Sequence, residues 1–526
     1  MLNFNTILKK NYIYITFLFI FSILFNQYYG NQGVCPIDSF ASFNAGYDVL
    51  NGKFPFKDYW TITGPFIALT QAFLFKLLGV SWFSYVFHAS LVNFIFTIST
   101  FYTLYKFKLE TRYCFFYSLL VSILSYPSTG TPYVDHQSAI LSIISIYFFI
   151  LALKTGKSFY WFFLPIILVL SFLTKQAPTG HILIIISFLS VFYFIFNFNI
   201  KNILMGVAGS MLIIFIFLYT LHMSGISFDS FYVQYILFPL SLGEDRLGFI
   251  FPLEFNRIIL RYKLVHLSSV LLIIYCVKQV AKNYRFIFNN DLLIIFSLIF
   301  SSWAFIIHQL MTVNGIFIYF LIPILCAFSH IYYSQNFDRK KYVLPTLVIF
   351  TLISSLYYGY KYVHQRDFWD LRSADMSEAV DASILSKKLK GLKWKSCLRP
   401  KDTDKEISEL LEVVEIIKNE QKEKSIITDY QFISVILSEY DNSPSKVWFH
   451  YHVNPERGSK HFKKYKKFFI EKFKENKVKV VYVIKPMMGG DKIIENVLDS
   501  SCYSKKVFNK MLNIYKILNC NDIKNY

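Results

Sequence analysis

Asp38 stands shortly after the first apolar run of the 526-residue chain, in the string Cys35-Pro36-Ile37-Asp38. A carboxylate there is suited to act as a general base on an acceptor hydroxyl. It also precedes a helical pattern, and as the N-cap of that helix it would have a purely structural role. Asp58 follows in the extended stretch Phe54-Pro55-Phe56-Lys57-Asp58. A second polar break ends in Asp135-His136-Gln137, at the mouth of another apolar run. An acid and an imidazole at such a boundary are costly unless used or paired. They suit the orientation of a sugar hydroxyl, whereas two adjacent ligands alone do not fill a metal's coordination shell. A third break reads Thr174-Lys175-Gln176-Ala177-Pro178. Its lysine can neutralise a lipid phosphate or simply snorkel to the headgroups. Residues 222–261 carry Glu244, Asp245, Arg246, Arg257 and Arg261, and His308 and Gln309 end a later apolar run.

The elements that position these groups are read from hydrophobicity. Apolar residues make up 54% of the chain and aromatic residues 19%, more than a soluble domain of this length carries. They fall in runs near the length of a bilayer span. Eleven spans are predicted, at 12–25, 84–105, 113–126, 137–153, 159–173, 181–196, 203–221, 264–280, 292–307, 315–333 and 342–360. Every break on one side then carries Lys or Arg, including Lys9 and Lys10, Lys106, Lys108 and Arg112, Lys154 and Lys157, Lys201, Lys282 and Arg285. The positive-inside rule makes that side cytoplasmic. Asp38, Asp58, Asp135, His136, Lys175, Gln176 and His308 all fall on the opposite side, as one outward-facing active site requires. Lys175, Arg246, Arg257 and Arg261 break the charge rule there and need a separate explanation. Pro65–Leu78 is short and carries Gln71 and Lys76, so it is read as a helix lying in the outer interface. The stripe Phe40, Phe43, Tyr47 and Leu50 predicts a second amphipathic helix before it, with Gly52 at its end. Lys9 and Lys10 before an apolar run have the layout of a signal peptide, but no small-residue cleavage pattern follows, so an uncleaved first helix is expected.

From residue 361 the composition turns to mixed charge. Ile407, Leu410, Leu411, Val414 and Ile417 follow helical spacing, as do Phe462, Tyr465, Phe469 and Phe473. Residues 425–428 and 478–484 read as buried strands and 447–449 as a weaker one. The expected fold is therefore an all-α membrane domain over 1–360, with about eleven transmembrane helices and outer interfacial helices. A small extracytoplasmic α/β domain over 361–526 follows it. The net charge of +20, from 54 basic and 34 acidic residues, lies largely in the inside breaks and the tail, which argues against nucleic-acid binding. The Lys-rich face of 460–474 is read as solvated rather than bound to lipid headgroups. Seven cysteines without a CxxC pair give no zinc pattern. Cys502 and Cys520 would share the outer compartment with Cys35 and Cys397, where disulfides form or thiols stay free.

The first outer loop, with Asp38, Gly52-Lys53-Phe54-Pro55-Phe56-Lys57-Asp58-Tyr59-Trp60 and Gly64-Pro65, resembles that of the C-type glycosyltransferases. This superfamily of polytopic, polyprenyl-phosphate-sugar-dependent enzymes includes protein mannosyltransferases and lipid A aminoarabinose transferases. Thr174-Lys175-Gln176 also looks like a loop of bacterial members. The resemblance covers the membrane part of the chain. It departs at Ser39, where the family motif often has a second acid, and at Phe56, where Tyr is common, so Asp58 and Asp135 remain alternatives as base. The resemblance implies inverting sugar transfer to a lipid, polysaccharide or protein acceptor. Asp38 would activate that acceptor, Lys175 would hold the donor phosphate, and Asp135 and His136 would line the site. Some members need a divalent metal and others do not. A bacterial inner membrane with a periplasmic site is the implied setting. A polytopic lipid or glycan flippase is the competing reading. Such proteins bind their cargo near the bilayer midplane, where this chain carries few ionisable residues.

Overall fold

The computed structural model describes residues 10–126, 129–248, 250, 254–313, 315, 318–336, 340–367, 371, 374–439, 442–446, 448–487 and 492–518. The chain divides into two compact units. One comprises Met1–Gly30, Ala89–Phe217 and Asp245–Phe368, and the other Asn31–His88, Leu218–Glu244 and Trp369–Tyr526.

The first unit is helical. Each of the eleven predicted spans falls on a helix. Among the described residues, eight helices are long and apolar enough to cross a bilayer. Thr111–Leu124, Ser158–Phe172 and Leu321–Asn336 are shorter. The span predicted at 315–333 falls on the helix Leu321–Asn336, and Gly315 ahead of it takes a left-handed φ of 74°. Val134–Thr155 is buried along most of its length and ends at Gly156 in the left-handed region, whose N–H closes on Ala152. Glycine suits that cap because it has no Cβ to clash. Ile200–Ser224, by contrast, leaves Leu204, Met211 and Leu218 exposed. A helix apolar on its outward face is solvated by lipid rather than water, and the chain is an integral membrane protein.

The second unit is α/β. Its larger sheet has the order β4-β5-β7-β6, with β4 (Lys424–Thr428) parallel to β5 (Val480–Ile484) and the pairings with β7 (Leu512–Ile517) and β6 (Tyr503–Val507) antiparallel. Every residue of β5 is buried. Successive strand residues face opposite ways, so a strand covered on both sides reads as an unbroken apolar run. Val480, Tyr482 and Ile484 pack in one core with Ile407, Leu410, Val413 and Ile417 of the helix Thr403–Lys418. Val481 and Val483 pack in another with Tyr465, Phe469 and Phe473 of the helix Phe462–Glu475. The strands predicted at 425–428 and 478–484 are thus β4 and β5.

A smaller sheet, β1-β3-β2, draws β1 (Gln32–Val34) from the start of the first loop. It sets β1 parallel to β3 (Lys393–Ser396), which pairs antiparallel with β2 (Val380–Asp381). A disulfide joins Cys35 to Cys397 just beyond β1 and β3. The expectation for Cys520 lies outside the described residues. The predicted strand at 447–449 is not one: Trp448 takes a left-handed φ of 54°, which turns the chain, and Val447 lies outside the described residues. Ala41–Leu50 is the predicted amphipathic helix. Its stripe packs Phe43 and Tyr47 beside Phe40, Trp394 and Phe432 in the first core. Pro65–Leu78 is also helical, with Pro65 in its first turn and Gly79 at its end. It buries Ile67, Gln71 and Phe75 and leaves Phe73, Leu77 and Leu78 exposed, an apolar outer face that suits an interface.

Candidate functional site

In the second unit the four-residue helix Pro36–Ser39 holds Asp38 half-buried. The N-cap positions of this helix and of Ala41–Leu50 are Cys35 and Phe40, neither with a side-chain cap. Capping is therefore not the role of Asp38. Its Oδ1 accepts a hydrogen bond from the indole N–H of Trp448 at 2.8 Å. A donor on one oxygen fixes the carboxylate's direction.

The chain around Trp448 is locked to the first loop. Trp60 donates its backbone N–H to the carbonyl of Pro444 at 2.8 Å and its indole N–H to the carbonyl of Val453 at 3.1 Å. Lys446 and Asp48, both buried, form an ion pair, and the Lys446 ammonium also lies 4.7 Å from the centre of the Tyr59 ring. Burial raises the Tyr59 hydroxyl well above its ordinary pKa, and the nearby carboxylates of Asp48 and Asp58 add to that. Asp58 accepts the backbone N–H of Phe54 through Oδ2 at 2.7 Å. It holds a turn in which Phe56 adopts a φ of 68°. Beyond Trp448 come His450, Tyr451 and His452, with ring centres 5.6 Å apart for His450 and His452 and 3.8 Å for Tyr451 and His452. Asp48, Lys446 and Trp448 were not expected as site residues. The one sequence signal was the dense string Trp448-Phe449-His450-Tyr451-His452.

In the first unit the polar groups converge at helix ends. Asp135 lies in the first turn of Val134–Thr155, Lys175 just before Gln176–Phe196, and His308 near the end of Asn290–Thr312. Lys175 Nζ is 2.6 and 2.7 Å from the two carboxylate oxygens of Asp135, and His308 Nε2 is 3.2 Å from Oδ1. Asp135 and His308 are buried, and Lys175 is nearly so. Gln309 lies against His308, with Nε2 3.3 Å from Nδ1. His136 stacks on Tyr126, with ring centres 5.6 Å apart. Gln176 opens its helix next to the Ala177–Pro178 bend. Ser171 braces these ends, 2.7 Å from Thr179 Oγ1 and donating to the carbonyl of Ser138 at 2.8 Å. The carboxylate of Asp135 thus already faces an ammonium group. A divalent cation does not fit there, because it would meet like charge. Among the described residues no group of three or more His, Cys, Asp or Glu side chains is arranged to hold a metal ion.

Fold and site define a polytopic membrane protein whose first loop is built into an α/β unit. No family model matches the chain, and no curated protein does. Among solved structures it is similar to the crystal structure of ArnT from Cupriavidus metallidurans in the apo state. That likeness has 10% identity and a TM-score of 0.48 over 95% of this chain and 97% of the other. It is also similar to the Archaeoglobus fulgidus oligosaccharyltransferase in the apo form, at 10% identity and a TM-score of 0.43 over 89% of this chain and 69% of the other. Both are distant likenesses of chain course and carry no residue's chemistry to this protein.

Proposed function

We propose that this protein is a membrane glycosyltransferase that moves a sugar from a polyprenyl-phosphate donor to a lipid, glycan or protein acceptor, with Asp38 as general base. The observation that carries the reading is Asp38 itself, a half-buried carboxylate with no capping role, aimed by the Trp448 indole. The loop pattern shared with C-type glycosyltransferases supports the donor class. Asp38 takes the proton of the acceptor hydroxyl while the acceptor oxygen attacks the anomeric carbon. The bond from that carbon to the phosphate oxygen breaks, and polyprenyl phosphate leaves with the electron pair. A single displacement inverts the anomeric centre. One base suffices because the phosphate is a good leaving group and needs no separate general acid.

Asp135, His136, Lys175, Gln176 and His308 are assigned to the donor's sugar. Their paired, near-neutral cluster offers donors and acceptors suited to hydroxyls. The setting is the bacterial inner membrane, with the α/β part on the periplasmic side. The test replaces Asp38 by Asn in cells otherwise lacking the protein and analyses envelope lipids and polysaccharides by mass spectrometry. One defined sugar should be missing although the variant is made and folded normally. A full complement of that sugar would remove Asp38 from the mechanism. Transport of a lipid-linked glycan by purified protein in vesicles, with no sugar transferred, would favour a flippase.

A further inference from the structure

The helix Ile200–Ser224 is long and apolar enough to cross a bilayer, and its last turns, from Leu218, belong to the second unit. The edge of the bilayer is therefore fixed within that unit, where the apolar helix stops. Gly225 turns the chain with a φ of 64°. Helix resumes at Phe228–Phe231 and continues through Tyr232–Leu237 and Phe238–Ser241. One side of these turns is buried, with Val233 and Phe238 in the core that holds Tyr465 and Phe469. The other side carries Phe228, Tyr232 and Leu240, all exposed, and the rings of Phe228 and Tyr232 stack with centres 6.0 Å apart. A helix that buries one side in protein and bares rings on the other suits a membrane interface.

The basic helix Phe462–Glu475 lies against these turns. His461, just ahead of it, meets Phe238 with ring centres 5.9 Å apart, and Lys464 Nζ is 3.9 Å from Asp229 Oδ2. Asp229 stands in the first turn that follows the span. A headgroup layer is about 5–8 Å deep on each side of the hydrocarbon, so Lys464 reaches it. Lys460, Lys463 and Lys467 are exposed with Lys464 on the side away from Tyr465, Phe469 and Phe473. Between 460 and 477 the chain has eight lysines and two glutamates. Sequence alone reads this face as solvated. A solvated face usually mixes both signs. This one has a single sign and borders exposed rings at the end of a span.

We propose that the lysine face of Phe462–Glu475 docks on the surface of an anionic bilayer, beside the apolar rim of Phe228, Tyr232 and Leu240. The ammonium groups meet the charged headgroups, while the rim enters the layer beneath them. Each lysine close to an anionic surface adds to the attraction, and salt weakens it. The contact holds the α/β unit against the membrane that the helices cross. It stands whether or not the protein transfers a sugar.

The test places full-length protein in nanodiscs of dioleoylphosphatidylcholine, with or without dioleoylphosphatidylglycerol. Lysine amines are acetylated with an uncharged N-hydroxysuccinimide ester and read by peptide mass spectrometry. Lys460, Lys463, Lys464 and Lys467 should react about fivefold more slowly in the anionic discs. Lys405, on the helix that packs against the other side of β5, should react alike in both. Salt at about 1 M, which screens charges beyond about 3 Å, should remove the difference. Lys463→Glu with Lys467→Glu should return Lys460 and Lys464 to their rates in phosphatidylcholine, and the wild-type comparison decides the matter should that variant not fold. Equal rates for the wild-type lysines in the two discs would overturn the docking surface. So would slowing by soluble alginate in phosphatidylcholine discs with none by phosphatidylglycerol, which would assign the lysines to an acidic glycan.

Discussion

The indole N–H of Trp448 donates to the Oδ1 of Asp38 across 2.8 Å, although the two residues stand 410 positions apart in the chain. The C-terminal segment therefore supplies the group that aims the proposed base. A hydrogen bond to a charged acceptor is worth about 1.5–3 kcal/mol. Trp448→Phe keeps the ring and removes the donor. It is expected to lower sugar transfer by roughly ten- to a hundredfold, with the folded protein recovered in normal yield on size-exclusion chromatography. Transfer at the wild-type rate would mean that the indole does not orient the base.

Lys446 and Asp48 are a buried pair with no counterpart elsewhere in the second unit for its degree of burial among the described residues. Removing one partner of such a pair costs about 3–5 kcal/mol, whereas replacing both with apolar groups costs far less. Lys446→Met is expected to lower the thermal unfolding midpoint strongly, and Asp48→Leu with Lys446→Met to recover most of the loss. A double variant no better than the single would show that the pair does not act as a unit.

The same logic applies to Asp135 and Lys175 in the first unit. Lys175→Met should reduce the yield of monodisperse protein in detergent more than Asp135→Asn with Lys175→Met together. Fluorescence-detected size-exclusion chromatography makes the comparison.

Glu406 is buried beneath the smaller sheet, with the Trp394 indole N–H on Oε2 at 3.0 Å and the Tyr430 hydroxyl on Oε1 at 2.7 Å. Burial raises its pKa above the usual glutamate value, and the two donors only partly oppose this. A carboxyl whose folded pKa is raised binds its proton more tightly in the folded protein. Its contribution to stability is complete below the unfolded pKa and is lost as pH rises through the folded one. Glu406→Gln should flatten the fall in stability across that window, measured by denaturant unfolding at stepped pH.

Cys35 and Cys397 close a loop of 362 residues. Limited trypsin cleavage between them should leave two fragments that separate on a gel only after reduction. Fragments that part without reductant would exclude the bond. Cross-links over long loops typically contribute about 2–4 kcal/mol, so the double Cys→Ser variant should unfold at lower temperature.

The membrane helices were legible because a bilayer span must be apolar over most of its length, and the runs in this chain are. Strands β4 and β5 were legible for a similar reason: they are covered on both faces, and their buried cores read Ile426-Ile427 and Val480-Val481-Tyr482-Val483-Ile484. What stayed hidden depends on neighbours distant in sequence. Asp135, Lys175 and His308 were each singled out as polar groups at helix ends, but nothing in three separate runs tells that they share one contact. Asp48 occupies a helical position where a solvated acid is ordinary, and only its burial against Lys446 distinguishes it. Trp448 read as part of a strand because Trp favours extended backbone. The left-handed φ that instead turns the chain is one an aromatic residue rarely adopts. The strands β1, β2 and β3 are too short to show an alternation at all.

The second unit is woven from stretches that leave the ribosome far apart in time: Asn31–His88 early, Trp369–Tyr526 last. Phe40 emerges long before Trp394 and Phe432, the rings that pack on it. During synthesis the early loop is therefore an apolar surface without its cover until residues 369–526 arrive. Any copy cut short within the membrane helices keeps that surface bare. Only a chain translated through residues 369–526 can cover that patch, so the second unit closes late in synthesis.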